Sequence, residues 1–173
     1  MLYIVNSGQT AIYIAKCKHI HYDESIDKYM NIYMYENNTG GYDIIMNLEK
    51  GILGKGELIV TDDKTASKVG SGGLDVFATP ALIALAEKTA LESVSECLQD
   101  GQSTVGTKID ISHIAATPVG MRVICETELI EIDRRRLVFS VNVYDEVEKI
   151  AEGIHERFIV DSLKFQTKAD AKK

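Results

Sequence analysis

The stretch Val76–Val94, VFATPALIALAEKTALESV, decides how the rest of the chain must fold. Thr79 followed by Pro80 reads as a helix start: a threonine side chain caps free N–H groups, and proline loses no bond at the first helical position. Leu82, Leu85, Ala86, Thr89 and Ala90 then recur at helical spacing, and Ile83 and Val94 widen the stripe. A helix apolar over so much of its circumference is enclosed by other structure. Glu87 stands in the middle of it, with Ile83, Ala84, Ala90 and Leu91 as helical neighbours. A carboxylate in that setting costs free energy unless it is paired or put to use. Two readings stand: a swing to the helix edge beside Lys88, or a chemical role.

What encloses the helix is legible on both sides of it. Upstream, KGELIVTDD reads as a short strand with Leu58 and Val60 on one face. The loop KVGSGGLDVFA follows, with Gly70, Gly72 and Gly73; it matches neither a Walker A loop nor a dinucleotide-binding fingerprint. Downstream, Gly101 supplies a stop, and four strand-like segments follow: TVGTKIDISHI, MRVICETELIEI, RLVFSVNVYDE and KIAEGIHERFIV. Short gaps between them imply antiparallel neighbours in a meander. Strict alternation puts Val105, Thr107, Ile109, Ile111 and His113 on one face, and Gly106 on the opposite parity. The order is strand, long buried helix, four strands. That is an α+β fold in which a curved antiparallel sheet wraps a central helix.

Composition narrows the function. The chain has 173 residues, 45% hydrophobic and 26% charged, with a net charge of -7. That charge argues against broad attraction to nucleic acid or an anionic membrane. No apolar run of about 18 residues is present to span a bilayer, and the N-terminus lacks the charge pattern of a signal peptide. Cys17, Cys97 and Cys125 form no metal or redox motif, which fits a reducing cytoplasm. Seven of the eight tyrosines fall within the first 42 residues, and the character of the chain changes near Met46. The expected organisation is an N-terminal extension over 1–45, a main domain over 46–165 and a polar tail over 166–173. Met46 is an alternative initiator. His19 and His21 form an H-x-H pair, but no third ligand lies nearby, so no metal is assigned.

The chemistry-bearing residues converge on the helix. His113 ends the strand face that covers it, and Glu87 and Thr79 lie on the helix itself. Eight residues separate those two, about 80° around the axis and about 12 Å along it. A carboxylate and an imidazole bordering one partly dry groove are able to share a proton or position a water. Gly106 marks a bulge or a close approach by ligand. From the residues alone, the choice between an enzyme and a ligand-binding module stays open.

The segments VFATPALIALAEKTA, VGTKIDISHIAATPVGMRV, RRLVFSV and GIHERFIVDSLKFQTKA resemble the hotdog-fold thioesterases, and within them the fluoroacetyl-CoA thioesterase-like family. The resemblance runs from about Gly54 to Ala169. It implies a hotdog fold, hydrolysis of an acyl-CoA thioester, a homodimer with active sites at its interface, and no cofactor beyond the CoA of the substrate. It assigns catalytic roles to Thr79, Glu87 and His113 and puts Gly106 beside the thioester carbonyl. Gly73, Val76 and Ala78 border the acyl group, and Arg135, Arg136 and Arg157, with Arg134, are candidates for the CoA phosphates. The fluoroacetyl-specific members carry a phenylalanine lid six residues before the threonine. Gly73 occupies that position here, which implies a more open pocket and another short or medium acyl group. The alternatives are a noncatalytic acyl-CoA binding module and a hotdog hydratase acting on enoyl or hydroxyacyl thioesters.

Overall fold

The computed structural model describes residues 3–6, 11–14, 32–36 and 42–173, with side-chain environments from residue 47 onward. The chain divides into two units, Met1–Leu48 and Glu49–Lys173. Among its described residues are two antiparallel strand pairs: β1 (Tyr3–Asn6) with β2 (Ala11–Ile14), and β3 (Ile32–Glu36) with β4 (Tyr42–Met46). Cys17 and the His19–His21 pair lie outside the described residues.

The second unit carries the candidate chemistry. It runs β5 (Leu53–Ile59), α1 (Ala66–Val69), α2 (Thr79–Val94), β6 (Gln102–His113), β7 (Arg122–Asp133), β8 (Arg136–Tyr144), β9 (Lys149–Asp161) and α3 (Ser162–Asp170). The five strands form one antiparallel sheet in the order β5-β7-β8-β9-β6, curled around α2. This is the hotdog layout expected from the sequence. The helix buries Leu82, Leu85, Ala86, Thr89, Ala90 and Val94. Leu82, Leu85 and Ala86 share one core cluster with the inward residues Val123 and Cys125 of β7, Val141 and Val143 of β8, and Ala151 of β9. Alternation along β7 and β8 supplies that inner face, because successive side chains point to opposite sides of a strand. β5 lies close under the helix: a Cβ on Gly54 would come within 2.8 Å of Ser93 Cβ and 3.0 Å of the Thr89 carbonyl oxygen. α3 extends into the segment read from sequence as a polar tail, with Asp161 capping it through the Lys164 N–H.

Two sequence expectations need correction. The four strands after the helix are not a simple meander, because β6 pairs with β9 at the sheet edge while β7 pairs with β5 and β8. Gly153 makes the β6–β9 approach possible: a Cβ there would overlap the backbone of Asp110 and Ile111. The parity along β6 is also interrupted. The register shifts between Gly106 and Lys108, leaving Thr107 as the extra residue of a bulge. Gly106 therefore faces inward together with Ile111 and His113, although strict alternation assigns it to the other side.

Candidate active site

α2 begins at Thr79, and its start has no side-chain cap. The Thr79 hydroxyl, read from sequence as the cap, instead shares a 2.9 Å hydrogen bond with His113 Nδ1 at the end of β6. Phe77 packs edge-on to the His113 ring, with centroids 6.4 Å apart, and fixes its plane. His113 Nε2 is buried and has no partner among the described residues. Burial lowers the His113 pKa, so the ring is neutral near pH 7. Thr79 and His113 line an open groove with Ser71, Val76, Phe77 and Ala116.

Glu87 sits two turns further along α2, about 12 Å on. Its side chain is 44% exposed. A Cβ on Gly106 would overlap the Glu87 carboxylate, so the carboxylate rests directly on the glycine at the β6 bulge. Lys88 does not pair with it; that lysine faces Glu92 at 3.8 Å. Beneath Glu87 lie two inward residues of β9, His155 and Arg157, only 1% and 4% exposed. Arg157 Nε donates to Thr104 Oγ1 at 2.8 Å, Nη2 to the Thr104 carbonyl at 2.8 Å, and Nη1 to the Glu87 carbonyl at 3.2 Å. His155 Nδ1 faces the Lys108 carbonyl at 2.9 Å. A carbonyl only accepts, so Nδ1 carries the proton, and Nε2 accepts from Arg157 Nη1 at 3.1 Å. Burial, with the Arg157 charge, lowers the His155 pKa, in keeping with a neutral ring. The 3.9 Å approach of Nε2 to Glu87 Oε1 is thus a contact rather than an ion pair.

The sequence-derived site residues therefore form two groups within one chain. Thr79, His113 and Val76 share the groove, and Ala78 is fully buried beside them. Gly73 is exposed in the preceding loop, with open space where a Cβ would project. Glu87 and Gly106 meet further down the helix, with Arg157 below them. Arg134 and Arg135 form the β7–β8 turn, where Arg135 lies 5.5 Å over the Phe158 ring. Arg136 pairs with Glu131 and Glu156, both at 2.8 Å. The sequence assigns nothing to His155 and makes Arg157 a candidate for the CoA phosphates, whereas its guanidinium is buried and engaged with Thr104. The signal was available: both fall on the inward parity of β9, between Ala151 and Ile159, where an unpartnered polar group is costly. Among the described residues no group of three metal-type ligands gathers, and no helix is long and apolar enough to cross a membrane.

A long helix wrapped by a five-stranded antiparallel sheet defines a hotdog fold, and likeness to known proteins places the chain among the thioester hydrolases of that class. Residues 60–163 match the family model of fluoroacetyl-CoA-specific thioesterases, and the chain belongs to that family. It is 36% identical over 98 residues to the fluoroacetyl-CoA thioesterase of Streptantibioticus cattleyicolor, a match covering 57% of this chain and 70% of that protein. The solved structure of the fluoroacetyl-CoA thioesterase FlK superposes with a TM-score of 0.70 at 29% identity, covering 73% of this chain and 98% of that one. A thioesterase superfamily member from Thermus thermophilus superposes with a TM-score of 0.65 at 22% identity, covering 71% and 91%, a likeness of fold alone.

Proposed function

We propose that the chain hydrolyses a short or medium acyl-CoA to the free acid and CoA, with Glu87 as the reacting carboxylate. The observation that carries this reading is the Glu87 carboxylate resting on the Gly106 backbone above a buried guanidinium. The thioester carbonyl would lie near Gly106, its developing oxyanion held by backbone N–H groups there or at the uncapped start of α2. Two routes remain open. In one, Glu87 attacks the carbonyl carbon, the C–S bond breaks, CoA thiolate leaves, and water then hydrolyses the anhydride with His113 taking its proton. In the other, Glu87 takes a proton from water as the water attacks the carbonyl carbon; the tetrahedral intermediate then collapses, the C–S bond breaks and CoA thiolate leaves with the proton returned from Glu87. Thr79 orients His113 in both. Gly73 in the loop supports an acyl preference broader than fluoroacetyl.

The working unit is proposed to be a homodimer with the sites between subunits. Its support is the separation of the two polar groups along one helix, together with the place of β6, the strand that carries Gly106 and His113, at the edge of the sheet among the described residues. A second copy would set Glu87 of one chain against Thr79 and His113 of the other. The free thiols Cys97 and Cys125 fit a reducing, cytoplasmic setting.

Thiol release from acyl-CoAs of graded chain length tests the reading. Glu87→Gln and His113→Ala are each expected to fold and to lose most turnover. Mixed, unfolded together and refolded, the two inactive variants should recover roughly a quarter of wild-type activity, because one site of each mixed dimer is intact. No recovery would place the whole site within one chain. Full turnover by Glu87→Gln would remove that carboxylate from the chemistry. Wild-type binding of CoA esters without thiol release would favour the binding module.

A further inference from the structure

The proposed chemistry uses Glu87, His113 and Thr79 and leaves His155 without a task. Yet His155 is the most buried titratable side chain around the site, and each of its edges meets a group that shapes it. Nδ1–H donates to the carbonyl of Lys108, the residue that closes the β6 bulge. Cε1 faces Gly106, 3.2 Å from where a Cβ would stand. Nε2 accepts from Arg157 Nη1, which also donates to the Glu87 carbonyl. We propose that His155 is a positioning residue for the hydrolysis: as the neutral Nδ1–H tautomer it fixes both the bulge presenting Gly106 and the guanidinium beneath Glu87. This rests on the reading of Glu87 as the reacting carboxylate.

The geometry explains why an imidazole is needed. The bulge carbonyl requires a donor and Arg157 Nη1 requires an acceptor, and they lie on opposite edges of one rigid, planar group. Imidazole is the side chain that offers one of each in that form. Protonation would remove the acceptor and set two cations about 3 Å apart, a repulsion that burial strengthens. The other charged groups around the ring are Glu87 and Glu156. They do not replace either bond, because Glu156 is engaged with Arg136 and Glu87 offers Arg157 its backbone carbonyl. His155 thus acts through Arg157 and Gly106, without touching substrate.

Three variants, with melting curves alongside, separate positioning from bulk packing. His155→Leu removes both bonds. His155→Gln keeps an acceptor within reach of Arg157, and His155→Asn keeps a donor within reach of Lys108. Folded His155→Leu is expected to lose about 100-fold in kcat with KM changed little, the signature of a misplaced reacting group. His155→Gln should regain about tenfold of that loss at a similar melting temperature. Side-chain 15N spectra of the wild type should show His155 neutral and Nδ1-protonated from pH 8 down to pH 6. A folded His155→Leu with wild-type kcat would overturn the proposal, as would an imidazolium at pH 7. Equal losses in Gln and Leu that follow melting temperature would reduce His155 to packing and overturn it too. If Leu does not fold, Gln and the wild-type spectrum decide. A wild type that releases no thiol from any acyl-CoA would sink the hydrolytic reading itself, while the spectrum still tests the tautomer.

Discussion

Gly106→Ala is the sharpest perturbation that the site allows. Its backbone is not in the left-handed region, so alanine brings no dihedral strain. The new Cβ would overlap the Glu87 carboxylate and press His155 Cε1 at 3.2 Å. The carboxylate is the far end of a flexible, 44% exposed side chain, so it swings aside rather than deforming the sheet. To reach ordinary contact it must move by about 1 Å, a misplacement that costs on the order of 100-fold in rate when the group is the reacting one. The fold hardly notices: the smaller unfolded-state entropy of alanine contributes about 0.4–1 kcal/mol in favour, offset by the crowding of His155. The expected result is a folded protein, melting within a few degrees of wild type, with kcat/KM for thiol release down by about 100-fold. Unchanged kcat/KM would mean that the position of Glu87 against Gly106 is not the working one. A large fall in melting temperature with matching loss of activity would mean that the strand, not the carboxylate, gave way.

Gly54→Ala should do the opposite. Its Cβ would meet Ser93 Cβ at 2.8 Å and the Thr89 carbonyl at 3.0 Å, atoms that cannot swing aside, so about 1–3 kcal/mol of stability should be lost while kcat per folded molecule is kept; equal melting temperatures would refute it. Gly73→Phe has open space to enter and should penalise longer acyl chains more than acetyl, which a chain-length series of kcat/KM reads directly; an unchanged profile rejects the idea. Both His113 and His155 have pKa values lowered in the folded state, chiefly by burial, so the unfolded chain binds more protons below about pH 6.5. Their contribution to stability is complete above that pH and is lost as pH falls through it. The urea midpoint should therefore be lower at pH 5.5 than at 7.5, and an equal or higher midpoint at 5.5 would count against two rings that are neutral in the folded state.

The helix was the most legible part of the chain, because its apolar spacing and the misfit of Glu87 are local facts that need no tertiary knowledge. His113 followed from strand alternation, as the bulge lies upstream of Ile109 and leaves its parity with Ile109 and Ile111 intact. Gly106 reads as a glycine in a strand, but strict alternation assigns it to the wrong face, since one extra residue, Thr107, resets the count and leaves no compositional trace. The pairing of β6 with β9 was hidden for a similar reason. Gap lengths report which strands are able to be neighbours, whereas the choice of β9 depends on close backbone approach at Gly153. Thr79 was read as a cap because the sequence around it meets every requirement of one; the competing partner, His113, lies 34 residues away. Arg157 reads from the resemblance as a contact for the CoA phosphates; its burial shows only once the inward face of β9 is built around it.

The uncapped start of α2 has a consequence for anyone engineering this chain. Ala78→Ser would ordinarily be a first choice for thermostabilisation, since a capping hydroxyl adds about 1 kcal/mol and the residue is only one atom larger. Here that hydroxyl would occupy N–H groups at the helix start, one of the two places proposed to hold the oxyanion. Where the oxyanion is held at the helix start, durability and turnover would compete for the same few hydrogen atoms, and a selection for heat resistance alone would be expected to find the cap at the expense of rate.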